Sequence, residues 1–149
     1  MQKPNLLALF LELVNQLFYG AHHRTHGNDY HVGLFQLEEE GKKVGLLQIC
    51  SYRPFPRHEV YRALKDKMNI VVLEKCISLG RGGILASDVR WSFPRAEKRD
   101  RDISSFVAGL GGRNISIDDL RYMVEKVGKE PVEFEFLGLR TELIAEKEM

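Results

Sequence analysis

The sequence has few cysteines, little net charge and no apolar run long enough to cross a bilayer. Only Cys50 and Cys76 occur among its 149 residues, each at the end of a predicted strand, which predicts buried thiols rather than a disulfide framework. Lys and Arg number 22 against 21 Asp and Glu, so the formal charge of +1 provides no field to attract nucleic acid. We therefore expect one soluble, cytoplasmic domain that binds no nucleic acid.

The common cofactor signatures are also missing. There is no C-x-x-C cluster for iron–sulfur, no G-D-G followed by an Asn pair for thiamine diphosphate, and no G-x-x-x-x-G-K-[ST]. His22, His23 and His26 lie in the polar segment GAHHRTHGNDY, whose glycines and Asn28 predict an irregular loop rather than a metal site. We expect no cofactor and no metal on this chain.

The N-terminal stretch NLLALFLELV is strongly apolar, but Glu12 interrupts it and it is too short for a membrane span. It also lacks the cleavage site of a signal peptide, so we expect no membrane association. Its spacing predicts a buried helix from Pro4 to Tyr19. This helix could be buried against the sheet of its own chain or against a second copy of the chain in a homodimer.

Two strand–turn–helix units form the middle of the chain. In MNIVVLEKCISLGRGG, the unbroken apolar run from Asn69 to Leu73 predicts a central parallel strand, and a helix from Ile84 to Trp91 follows the glycine turn. The second unit has a strand from Ile103 to Ala108 and a glycine turn. Its helix runs from a capping box of Ser116 and Asp119 to about Val127.

The other elements complete an α/β domain with an open, three-layer, mostly parallel sheet and an extra N-terminal helix. Glycine turns in such a sheet lie at its carboxyl edge, where ligands or partners bind. We divide the chain into a helix and loop over 1–30, the domain over 31–139 and a charged tail over 140–149. The remaining predicted elements are helices over His31 to Glu40 and Arg57 to Lys67, a strand over Val44 to Cys50, and a half-exposed edge strand over Val132 to Phe136.

The glycine turns are the candidate site, and they have two interpretations. Backbone N–H groups at a helix N-terminus, with an arginine beside them, could hold a phosphate or carboxylate; alternatively, the glycines only let the chain turn tightly. A dinucleotide fingerprint fails because Leu85 stands where a small residue is needed. The candidate positions are Gly80, Arg81, Gly82, Gly83, Gly109, Gly111, Gly112 and Arg113.

Four further side chains invite a catalytic hypothesis. Cys76 could act as a nucleophile if His58 approached it, although no orienting third group stands at a recognisable spacing. Glu74 and Asp88 are a possible acid pair, but such a pair occurs in any α/β domain. A buried thiol and structural acids are the simpler interpretation.

Three collinear motifs resemble a known family. GKKVGLLQICSYRPFP, NIVVLEKCISLGRGGIL and VAGLGGRNISIDDL are similar, in order and spacing, to the C-terminal domain of the α chain of 2-oxoacid:ferredoxin oxidoreductases, the pyruvate:ferredoxin oxidoreductase family. In that family this domain looks like the C-terminal domain of transketolase. The resemblance covers roughly Val32 to Leu139, and it places GAHHRTHGNDY where the family has its first strand, so we expect that strand to be missing.

The resemblance implies a complex that decarboxylates a 2-oxoacid on thiamine diphosphate, reduces ferredoxin through iron–sulfur clusters and forms an acyl-CoA. It implies that thiamine diphosphate, the clusters and CoA lie on other subunits, which are the expected partners, and that this chain is a non-catalytic assembly domain. The glycine-turn residues match the family as structural positions. The alternative is a stand-alone module that binds a small anion, such as CoA or a nucleotide phosphate, at those turns.

Overall fold

The computed structural model describes residues 9–10, 30–49, 52–94 and 103–139. Within them, strands and helices follow one another in the order expected of an α/β fold. The elements are β1 (Leu9–Phe10), α1 (Tyr30–Glu39), β2 (Gly45–Leu46), α2 (Arg57–Leu64), β3 (Ile70–Glu74), α3 (Ile84–Ser92), β4 (Ile103–Val107), a short 3-10 turn (Leu110–Gly112), α4 (Ile117–Val127) and β5 (Glu135–Phe136).

All described strand pairings are parallel. Strands β3, β4 and β5 form a three-stranded sheet in that order, and β1 pairs with β2. Strand β1 also lies beside β3, so the two groups are neighbours in the spatial order β2-β1-β3-β4-β5, although no ladder of hydrogen bonds joins β1 to β3 in the described residues. The predicted open parallel sheet is confirmed.

Helices cover both faces of this sheet, which confirms the predicted three layers. On β3, Val71 and Leu73 point into a core with α1 and α4, while Ile70 and Val72 point into a second core with α2 and α3. Every residue of β3 and β4 is buried. The unbroken apolar run in the sequence is therefore explained, since each face of these strands contacts a helix layer.

The four predicted helices that correspond to α1, α2, α3 and α4 are confirmed with shifts of a few residues at their ends. Helix α4 begins with the predicted capping box: Ser116 Oγ accepts from the N–H of Asp119 at 3.2 Å, and the Asp119 carboxylate accepts from the N–H of Ser116 at 2.8 Å. The predicted strands at Val44 to Cys50 and Val132 to Phe136 are shorter, at two residues each. Among the described helices, none is long and apolar enough to cross a membrane.

The predicted N-terminal helix is wrong at Leu9–Phe10, which form β1 and pair in parallel with Gly45–Leu46. An apolar run without alternation fits both a buried helix and a strand covered on two faces, and here pairing with β2 decides between them. The chain thus has a strand ahead of α1. Residues 20–29, where we expect the first strand of the family to be missing, are not among the described residues, so that expectation stays a prediction. The rest of the predicted helix, its homodimer contact and the three histidines lie outside the described residues.

Candidate functional site

The two glycine turns meet at the carboxyl edge of the sheet, as predicted. Strands β3 and β4 end in register, with Glu74 opposite Val107, and the N–H of Ala108 donates to the carbonyl of Glu74 at 3.1 Å. Gly109 lies directly against the Lys75 side chain. The turn after β3 and the turn after β4 therefore form one continuous surface.

The turn after β3 is a tight hairpin. The N–H of Ser78 donates to the carbonyl of Gly82 at 2.8 Å, and the N–H of Gly82 donates back to the carbonyl of Ser78 at 3.1 Å. Gly82 has a φ of +74° and faces the ring of Phe134, so a side chain there would be strained and would press on that ring. The hairpin holds Leu79 at its tip, where 95% of that residue is exposed.

A buried carboxylate closes the N-terminus of α3. Glu74 is only 1% exposed, and its carboxylate accepts from the N–H of Leu85 at 2.9 Å and of Ala86 at 3.1 Å. The negative charge lies at the positive end of the helix, which stabilises both. A Cβ on Gly83 would stand 2.0 Å from Glu74 Oε1, so only glycine leaves room for this contact.

This arrangement bears directly on the anion hypothesis for the first turn. The N–H groups of Leu85 and Ala86 are those that a phosphate at this helix end would use, and Glu74 occupies both. Arg81 is exposed nearby on the hairpin. An anion would have to displace a carboxylate of the same chain.

The helix that follows β4, α4, also has its N-terminus capped by side chains of this chain. The turn after β4 passes through a short 3-10 turn, in which Gly111 has a left-handed φ of +69°, and leads to the capping box of α4. The guanidinium of Arg113 donates to the carbonyl of Gly138, which ties this turn to the segment after β5. Arg113 therefore acts as a brace between two segments of the edge.

Cys76 lies just beyond β3, and its thiol donates to Glu74 Oε2 at 3.5 Å. Burial, and after it the negative charge of Glu74, raises the pKa of the Cys76 thiol to about 11. The thiol is thus protonated near neutral pH, which is the opposite of an activated nucleophile. His58 is exposed on α2.

Glu74 and Asp88 have separate partners and do not act as an acid pair. Asp88 accepts from the hydroxyl of Tyr52 and from the guanidinium of Arg53, the latter at 3.0 Å. Burial, then the hydrogen bond and charge of Asp88, raises the pKa of Tyr52 to about 12. Asp88 therefore anchors the loop after β2 to α3.

The role of Glu74 as an internal helix cap was not predicted from the sequence. The available signal was an acidic residue at the end of an otherwise apolar, fully buried strand, followed by a glycine where the next helix begins. A buried carboxylate needs donors, and the nearest helix N-terminus supplies them.

The described residues do not fit the cofactors that the resemblance implies. Among them, no three His, Cys, Asp or Glu side chains are placed to hold a metal ion. Ligation of an iron–sulfur cluster takes about four cysteines, whereas the described residues contain Cys76 alone and the sequence has two. A diphosphate would find the α3 donors at Leu85 and Ala86 occupied by Glu74. We assign no chemical step to these residues.

Comparison with known proteins gives consistent similarities. The chain is 41% identical over 95 residues to the pyruvate synthase subunit PorA of Methanocaldococcus jannaschii, an overlap of 63% of this chain and 23% of that subunit. It is 33% identical over 107 residues to the PorA of Methanothermobacter thermautotrophicus, and 30% identical over 93 residues to the ketoisovalerate oxidoreductase subunit VorA of Pyrococcus abyssi. The chain spans about a quarter of the length of the curated relatives it matches.

A family model described as pyruvate:ferredoxin oxidoreductase core domain II matches residues 24–120. That range includes α1 to β4, both glycine turns and the capping box of α4. The chain belongs to the pyruvate:ferredoxin oxidoreductase core domain II family.

Proposed function

We propose that this chain is a non-catalytic assembly domain of a cytoplasmic 2-oxoacid:ferredoxin oxidoreductase, a complex that converts a 2-oxoacid to an acyl-CoA. Thiamine diphosphate, the iron–sulfur clusters and CoA are held by partner chains. This chain contributes a rigid three-layer body whose carboxyl edge contacts them. The family membership supports the kind of complex, and the chemistry of the edge supports the role within it.

The observation that carries the proposal is that the Glu74 carboxylate caps the N-terminus of α3. A ligand site in an open α/β sheet uses free backbone donors at a helix N-terminus beside the carboxyl edge. Here the chain's own carboxylate occupies the N–H groups of Leu85 and Ala86, and the close approach of Gly83 makes that arrangement part of the fold. Such a turn is suited to fixing the shape of a surface.

The names of the relatives support the substrate class. PorA is a subunit of pyruvate synthase and VorA a subunit of a ketoisovalerate oxidoreductase, and both names refer to 2-oxoacids. Since this chain resembles subunits of enzymes that act on different 2-oxoacids, a role shared by those enzymes fits it better than selection of one substrate. We therefore propose the class and leave the individual acid to the partner chains.

The test is affinity purification of the tagged chain from cells that express it, followed by mass spectrometry of the bound chains. We expect co-purified polypeptides that carry thiamine diphosphate and iron, together with 2-oxoacid-dependent reduction of ferredoxin or viologen by the eluate. A matched purification with the tag alone gives the background. Recovery of the chain alone, with CoA or a nucleotide bound to it, would instead establish the anion-binding alternative.

A further inference from the structure

Four exposed hydrophobic side chains are carried by the neighbouring segments at the carboxyl edge. They follow β3, β4 and β5, and they make up half of the eight large hydrophobic residues that are exposed in the described part of the chain. A soluble surface that collects apolar side chains in one place marks a binding region more often than scattered ones do. We call this set the carboxyl-edge surface: Ile77 (38% exposed), Leu79 (95%), Leu110 (37%) and Leu139 (42%).

The segments that carry these residues contact one another. Gly109, after β4, lies against Lys75, after β3, and Arg113, after β4, donates to the carbonyl of Gly138, after β5. The segment after β4 therefore contacts both of the others and joins the three into one surface. The tight hairpin after β3 and the capped N-termini of α3 and α4 fix the shape of this surface.

The charge on this surface has one sign. Segments 75–83, 108–115 and 137–139 contain Lys75, Arg81 and Arg113 and no Asp or Glu. The nearby carboxylate of Glu74 is buried and directed at α3, so it does not face outward. A partner that complements the surface must present apolar side chains ringed by carboxylates.

We propose that the carboxyl-edge surface docks onto an acidic, apolar face of a partner polypeptide in the oxidoreductase complex. This inference rests on the proposed function and specifies where and by what chemistry the chain is held. The relatives' chains supply an argument for a polypeptide occupant, since about three quarters of their length lies outside the region they share with this chain. A domain that works beside so much additional polypeptide needs a contact surface of this kind.

Other occupants fit the surface less well. A two-fold contact between two copies through this surface would set two cationic surfaces, each with Arg81 and Arg113, against each other, and like-charge repulsion would weaken it. A free anion would find the N–H groups of Leu85 and Ala86 already occupied by Glu74. These occupants are outcomes that the experiment can detect.

The experiment measures the affinity of the full chain for its purified partner chain, with single substitutions at the edge. Leu79→Asp and Leu110→Asp place carboxylates on the apolar centre, and we expect each to weaken binding about tenfold or more. Arg81→Glu should weaken binding and reduce its sensitivity to salt. Met68→Asp is the matched control, because Met68 is 55% exposed but precedes β3 at the opposite edge of the sheet.

Each outcome decides between the two proposals. If the thiamine-bearing partner binds the Leu79→Asp and Leu110→Asp chains as tightly as the wild type, the docking surface is wrong and the proposed function stands. If the substitutions release a partner without thiamine or iron, the docking surface stands and the proposed function is wrong. If they alter only self-association or binding to anionic vesicles, or if the wild-type chain binds no polypeptide, the docking inference is overturned. Unchanged melting temperatures show that all variants fold.

Discussion

At the scale of single residues, Glu74 and Gly83 depend on each other. The carboxylate is stable in the interior because α3 donates two N–H groups to it, and it can reach them because residue 83 has no side chain. Neither residue needs a ligand to explain it. The pair shows how a sequence pattern typical of anion binding can serve the fold alone.

Gly83→Ala tests this dependence. A methyl group 2.0 Å from Glu74 Oε1 and 2.8 Å from Ser105 Oγ would force the carboxylate away from its donors. We expect the free energy of unfolding, measured by urea denaturation, to fall by about 3 kcal/mol.

Gly80→Ala is the control for that substitution. Gly80 has a φ of +77°, but a Cβ at this position would meet no atom within 4 Å, so alanine there introduces backbone strain without a clash. We expect a loss of about 1 kcal/mol. Equal losses at the two positions would contradict the role assigned to Gly83.

The Cys76 thiol gives a second prediction at this scale. With its pKa raised from 9.0 to about 11, the thiolate fraction at pH 8 falls strongly, and the alkylation rate with iodoacetamide should be about tenfold or more below that of an unstructured cysteine peptide. The rate should still be rising steeply at pH 10. A Cys50→Ser background isolates the signal, and a rate that levels off near pH 8 would contradict the burial and charge effects described.

At the scale of elements, the capping box sets where α4 begins. Ser116→Ala removes the acceptor for the N–H of Asp119, and we expect it to lower the free energy of unfolding by about 1 kcal/mol. Ser116→Thr, which keeps the hydroxyl, should retain most of that stability. A Thr variant as unstable as the Ala variant would show that the loss comes from a source other than the cap.

The contact between Tyr52 and Asp88 predicts an alkaline transition. Because folding raises the pKa of Tyr52 from 10.0 to about 12, the protonated phenol stabilises the folded state below pH 10, and this contribution is lost as the pH rises from 10 to 12. Urea unfolding at several alkaline pH values should show a decline that is less steep in Tyr52→Phe. In absorbance titrations one phenolate should appear late in the wild type, and its persistence in the variant would contradict the assignment.

Some elements were predictable from sequence, and the reason differs for each. Strand β3 has an unbroken β-branched run, and α4 has a local capping signal, so nearby residues suffice for both. Strand β1 could not be distinguished from a helix, because its apolar neighbours suit either and only the pairing with β2 decides. The role of Glu74 depends on a helix that begins ten residues later, which spacing alone does not reveal.

At the scale of the whole molecule, the two glycine turns were placed correctly at one edge, since parallel strands bring their carboxyl ends together. What the turns do depends on side chains that fold back onto the helix ends. The three-layer body, the closed helix ends and the cationic, apolar edge together support an assembly role, in which the reacting groups are supplied by other chains.

Cofactor content is the most direct test of that account. Thiamine diphosphate and iron should be quantified per chain, both in the purified chain alone and in the complex recovered with it. We predict that the isolated chain holds neither in stoichiometric amount, while the complex contains both. One thiamine diphosphate or one iron–sulfur cluster bound by the isolated, folded chain would contradict the account.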